Sequence, residues 1–113
     1  MLGIKDNERI FFVSGYTDMR SGRYTLARIV QMNLGMDPYD GSLFVFMSKD
    51  HRKMKALSYK RHMYILYDLC YDHGYRFMKV GKGDGSDMSA VEEMGWNHLA
   101  ALLQCPARTM LPL

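Results

Sequence analysis

The order of hydrophobic patterns along the chain predicts an α+β fold: a single domain spanning residues 1–113, with an antiparallel sheet of about four to five strands and two helices packed on it. Three observations carry this expectation. A strand-sized apolar run is followed by a helical stripe, then by several more strand-sized runs, then by a second helical stripe. The connections between the later strand-like runs are short, which favours an antiparallel meander because parallel neighbours need a long crossover. With 113 residues, 48% hydrophobic and 24% charged, the chain has the size and composition to bury a core without staples.

The first element is Arg9-Ile10-Phe11-Phe12-Val13-Ser14, apolar and aromatic, stopped by Gly15. Thr17 then reads as a helix N-cap whose hydroxyl accepts a free N–H, with Asp18 at the positive end of the helix dipole. Leu26, Ile29, Val30 and Leu34 recur at three- to four-residue spacing, so a helix is expected over about Asp18–Leu34, closed by Gly35 with Pro38 beyond. Asp37-Pro38-Tyr39-Asp40-Gly41 is a turn cluster. Ser42–Met47 is apolar throughout and reads as a central strand. Arg52–Tyr59 alternates loosely and carries charge, Met63–Tyr71 is tyrosine-rich and β-prone, and Tyr75–Val80 reads as a fifth strand after a turn at His73-Gly74.

Gly81–Asp87 is a loop by composition. Val91, Met94, Leu99, Leu102 and Leu103 give the second helical stripe, with Ser89 and Glu92 in the form of a capping box; Trp96-Asn97 marks an alternative, later start. Pro106 ends the element.

No apolar run approaches the roughly 18 residues of a membrane helix. The first residues lack the basic and apolar regions of a signal peptide, so a cytoplasmic protein with no membrane partner is expected. Cys70 and Cys105 show no metal spacing and read as reduced side chains, Cys70 in the core.

Catalytic chemistry finds little support. Gly81, Gly83 and Gly85 imitate a phosphate loop, but Lys82 is followed by Gly83 where that motif needs Ser or Thr. His51, His62, His73 and His98 have no zinc-ligand spacing, and Asp18, Asp37, Asp40, Glu92 and Glu93 are scattered. Ser14 before Gly15 does not form a nucleophile elbow, and Asp68 and Asp72 oppose thiolate formation at Cys70. No enzyme, metal or cofactor is expected.

Charge is the more informative feature. Lys49, Arg52, Lys53, Lys55, Lys60 and Arg61 stand against one acid, Asp50, in a chain whose net charge is only +3. Such a block fits a nucleic-acid footprint; it equally fits a solvated strand pair with lysines at its edge. Tyr59, Tyr64, Tyr67, Tyr71 and Tyr75 adjoin it, either as stacking partners for bases or as ordinary strand residues with wet hydroxyls.

Two segments then point to a family. Gly15-Tyr16-Thr17-Asp18-Met19-Arg20, and Met36-Asp37-Pro38-Tyr39-Asp40-Gly41-Ser42-Leu43-Phe44-Val45-Phe46, resemble the hallmark of the second-reading-frame (TnpB-type) accessory proteins of IS66-family insertion sequences. The basic stretch Ser48–Leu57 follows where that family has one. The motif positions are Thr17, Asp18, Met19, Arg20, Asp37, Pro38 and Gly41. The chain departs from the pattern at Ser21, where the family has Lys, and at Ser58-Tyr59, where it has Trp. The resemblance implies a part in DNA transposition beside a separate transposase, with no catalytic residue to carry over. It suggests that the Lys49–Arg61 stretch meets DNA backbone while an apolar or tyrosine-rich face meets the transposase. A protein-interaction module that never touches DNA is the competing expectation. Thr17, Asp18 and Arg20 fit a structural role, as cap, dipole partner and ion pair, as well as a functional one.

Overall fold

Ile10–Val13 and Leu43–Met47 have no polar side chain at either strand parity, a pattern that suits a strand covered on both faces. The computed structural model, which describes residues 8–78, 80 and 91–108, places both segments in the middle of a sheet. In chain order the elements are β1 (Ile10–Val13), α1 (Arg23–Met32), β2 (Leu43–Met47), β3 (Lys53–Lys60), β4 (Met63–Cys70), β5 (Tyr75–Arg76), β6 (Val91–Met94), α2 (Trp96–Gln104) and β7 (Ala107–Arg108). Five strands form the main sheet in the order β4-β3-β2-β1-β6, and β5 pairs with β7 apart from it.

The α+β class is as expected, but the sheet is mixed rather than antiparallel throughout. β1 and β2 run parallel, Ile10 beside Leu43 and Phe12 beside Val45, while the β2–β3, β3–β4 and β1–β6 pairs are antiparallel. The long connection containing α1 is the reason: it crosses over the sheet and returns the chain in the same direction.

Strand alternation sorts the core into two layers. Phe11, Val13, Phe44, Phe46 and Leu57 meet Leu26, Ala27 and Val30 of α1. Ile10, Phe12, Leu43, Val45, Met47, Met54 and Ala56 face the other way and meet Leu99 and Leu102 of α2. One helix therefore covers each face. Phe44, Phe46, Val45 and Ile10 are fully buried, each worth about 1.5–3 kcal/mol of burial.

Several boundaries differ from the sequence expectation. α1 begins at Arg23, not Asp18, with Gly22 as its N-cap. Thr17 is not a helix cap: it lies six residues before the first helical residue, and its N–H donates to Met47 O across 3.0 Å. The intervening residues are held in a turn, because the Arg20 N–H donates to Asp18 Oδ1 at 2.9 Å and the Ser21 N–H to Asp18 O at 3.0 Å. A short acceptor side chain competing for backbone N–H groups in this way forestalls a helix. α1 also ends early, at Met32, and Gly35 (φ +63°) then turns the chain so that the Met36 N–H reaches Val30 O.

Val91–Met94 forms β6, not the start of a helix. It supplies partners for the open backbone edge of β1, a demand that outweighs its helical spacing. Helix α2 takes the later start at Trp96. Ser89 of the expected capping box and the Gly81–Asp87 loop lie outside the described residues, and Glu92 is a strand residue opposite Phe12. The expected fifth strand at Tyr75–Val80 shrinks to Tyr75–Arg76, because the next residue, Phe77, is drawn into the core and its N–H donates to His51 O at 2.7 Å. Cys70, expected in the core, is exposed at the end of β4, the outermost strand.

The Asp37–Gly41 turn leads into β2. The Tyr39 N–H donates to Asp37 Oδ1 at 2.9 Å and the Ser42 N–H to Asp40 Oδ1 at 2.8 Å, Pro38 is buried, and Gly41 sits at φ +91°. An added Cβ at Gly41 meets nothing within 4 Å, so any penalty comes from the backbone alone. Gly41→Ala is expected to lower unfolding free energy by roughly 1–2 kcal/mol, seen as a reduced urea midpoint with unchanged slope; an unchanged midpoint would refute this account of the turn.

Candidate functional site

Because β1 and β2 are parallel, their carboxyl ends lie side by side, and the chain leaving each strand meets the other there. In open sheets with parallel strands, crevices beyond the carboxyl ends are the usual place for ligands. The Thr17 N–H bond to Met47 O ties the two exits together. Between them is a cleft of about 590 Å³ lined by Thr17, Met19, Ser48, Lys49, Asp50 and Lys53. It brings the first signature segment against the basic stretch that follows the second.

The wall from Ser48 to Lys53 is a tightly bonded turn. The Ser48 N–H donates to Lys53 O and the Lys53 N–H to Ser48 Oγ, each at 3.0 Å. The Ser48 hydroxyl donates to Asp50 Oδ1 at 2.7 Å, which also accepts the Arg52 N–H at 3.0 Å. These donors, the Arg52 amide first, hold the Asp50 carboxyl below its ordinary range, so it stays ionised. His51 accommodates the bend at φ +61°.

The six basic residues do not share one face. Lys49 and Lys53 line the cleft and are exposed. Arg52 is half-buried, with Nη2 donating to Tyr71 O at 3.3 Å. Lys55 is buried at 8% exposure, its ammonium donating to Ser21 O at 2.9 Å and lying 3.9 Å from Asp68. Lys60 pairs with Glu8. Arg61 is exposed, but at the tip of the β3–β4 hairpin, about 26 Å along the strand from Lys53 at the usual rise per residue. The expected basic strand face therefore reduces, at this cleft, to Lys49 and Lys53. Lys55 is an internal tether that fixes the turn before α1.

Arg20 closes on Asp18 with two guanidinium bonds, Nε to Oδ1 at 3.1 Å and Nη2 to Oδ2 at 2.8 Å. That pairing, with the Arg20 amide, lowers the Asp18 carboxyl to about 2. Met19 turns inward and packs on the α1-side core.

A second feature escaped the sequence reading. Tyr24 from α1 and Tyr39 from the Asp37–Gly41 turn join Tyr59 and Tyr64 in a cluster of edge-to-face rings with centroids 4.9–6.1 Å apart. The Tyr39 and Tyr64 hydroxyls lie 3.2 Å apart, and this contact, more than burial, pushes the Tyr64 phenol up to about 12. The Arg23 guanidinium sits 4.7 Å over the Tyr24 ring. Tyr59 and Tyr64 stand close together in the sequence, and the β3–β4 register sets them opposite each other; Tyr24 and Tyr39 come from distant segments and carry no such signal. Tyr71, by contrast, packs against Phe77 with ring centroids 4.4 Å apart.

Among the described residues, no group of three or more His, Cys, Asp and Glu side chains is placed to hold a metal ion, and no helix is long and apolar enough to cross a membrane.

Comparison with known proteins gives two matches. A family model described as "IS66 Orf2 like protein" matches residues 8–106. A protein of Sinorhizobium fredii (strain NBRC 101917 / NGR234), named as uncharacterized protein y4hO, is 40% identical over 57 residues, which is half of this chain and half of that protein. No solved structure matches the chain.

Two outcomes follow from these contacts. Lys55→Ala is expected to cost about 1–3 kcal/mol of stability, because it leaves Ser21 O without its donor; an unaltered denaturation midpoint would show that the tether is idle. Asp18 has a depressed carboxyl, so its contribution to stability is full above pH 4 and fades as pH falls from 3.8 towards about 2. In an NMR titration, Arg20→Ala should move the Asp18 midpoint back up towards 3.8, the remaining depression coming from the backbone amide at position 20.

Proposed function

Since the chain belongs to the IS66 Orf2-like family, we propose that it is an accessory protein of an IS66-family insertion sequence, assisting DNA transposition beside a separate transposase. Its own contribution is to hold DNA backbone. The observation that carries this reading is the cleft beyond β1 and β2, where the family's signature residues Thr17 and Met19 share the lining with Lys49 and Lys53, two exposed lysines with no ion pair among the described residues. Lysines on a cleft rim neutralise phosphates without reading bases, so the contact is salt-dependent and insensitive to sequence. The chemistry of strand cleavage belongs to the transposase, and the protein works in the cytoplasm where the element's DNA lies.

A second contact is favoured by the opposite end of β3. Tyr24 and Met32 on α1 are 64% and 76% exposed, and Tyr24 leads into the tyrosine cluster. Exposed aromatic and methionine side chains suit a protein partner, and the transposase is the partner proposed for the outer face of α1.

Fluorescence anisotropy with a labelled duplex tests the DNA reading. Two lysine contacts should give a log–log salt slope of about two, a loss of roughly tenfold in affinity between about 50 and 200 mM salt. Lys49→Glu with Lys53→Glu should abolish binding in a protein that still melts cooperatively. A folded wild-type protein that fails to bind at the lower salt would remove DNA contact from the function and leave the transposase contact to carry it.

A further inference from the structure

We propose that the cleft seats a single phosphate group, bound by the Thr17 hydroxyl together with the ammonium groups of Lys49 and Lys53. The proposal deepens the DNA reading above and rests on it for the source of the phosphate. Thr17 is only 5% exposed, and its hydroxyl has no hydrogen-bond partner among the described residues. Buried hydroxyls are ordinarily satisfied, so an unpaired one needs an explanation.

The remaining groups of the cleft decide what kind of ligand fits. Ser48 Oγ already accepts the Lys53 N–H, and Asp50 Oδ1 accepts both the Ser48 hydroxyl and the Arg52 N–H. Asp50 is the one acid among the lining residues, and two lysines outnumber it. Nearby, Asp18 is neutralised by Arg20. What is left over is a hydroxyl and two ammonium groups, set against the second carboxylate oxygen of Asp50. A group with several charged acceptor oxygens complements that set, and phosphate is the one that DNA presents.

Thr17→Val tests this because valine keeps the shape and deletes only the hydroxyl. Three probes are used: a labelled duplex by anisotropy, inorganic phosphate by its effect on the melting temperature, and the melting temperature without ligand. The expected result is that Thr17→Val melts at or above the wild-type temperature, since no internal hydrogen bond is lost, yet binds duplex roughly tenfold or more weakly. Thr17→Ser, which keeps the hydroxyl, should retain most of the affinity. Duplex binding by Thr17→Val at wild-type strength, with Lys49→Glu and Lys53→Glu still abolishing it, would overturn the seat and leave the DNA reading standing. If wild-type protein ignores duplex but inorganic phosphate raises its melting temperature, and Thr17→Val loses that rise, the seat stands and its ligand is a free phosphate. A Thr17→Val protein that melts well below wild type and binds duplex unchanged would mark the hydroxyl as structural and overturn the proposal.

Discussion

The rest of the structure depends on one constraint: β1 and β2 are apolar on both faces and lie next to each other in parallel. A pair of that kind must be covered above and below, so α1 and α2 take opposite sides of the sheet. Parallel pairing in turn demands a long crossover, which fixes α1 as a connection as well as a cover. The same geometry puts two strand exits together at one end of the sheet. The residues emerging there, Thr17 to Arg20 and Ser48 to Lys53, gain a shared cleft without either segment having to specify it alone.

Much of this was legible in the amino-acid order, for physical reasons that differ from element to element. β1 and β2 were readable as short, wholly apolar runs bounded by turn residues, and β3 and β4 as β-prone runs joined by a short connection, because these signals are local. The start of α1 was not, because Asp18 looks like a helix-terminus residue yet uses its carboxylate to hold Arg20 in a turn. β6 was misread because Val91 and Met94 have helical spacing, while the force that makes them a strand is the unpaired edge of β1, nearly eighty residues earlier. At the site, the signature segments could be picked out but not the state of each charge. Lys53 and Lys55 are equivalent in a sequence, and only the position of α1 over the sheet separates an exposed cation from a buried one.

That sorting of charges matters for how the molecule meets a partner. Of the basic block, Lys55 and Lys60 are held by internal acceptors and Arg52 partly so. The exposed charge of this block therefore sits near the β2–β3 turn and at Arg61, rather than spread along the strand. Two small sources at opposite ends of β3 orient a polyanion differently from a uniform stripe. The tyrosine cluster lies on the same side of the sheet as α1, where Tyr39 and Tyr24 bridge from the signature turn to the helix. The signature turn thus contributes to the surface of the protein as well as to the entry of β2.

β4 has a consequence of its own. It is eight residues long, has β3 on one side and, among the described residues, no strand on the other, and reads Met-Tyr-Ile-Leu-Tyr before its first charge at Asp68. An outer strand of this composition is a template on which a newly made chain can add itself, building ribbons between molecules instead of folding within one. Asp68 interrupts that run, with the Lys55 ammonium of the neighbouring strand 3.9 Å from its carboxylate. A charged side chain in the middle of an outer strand opposes that kind of pairing, because adding a strand there would bring the charge against a second backbone.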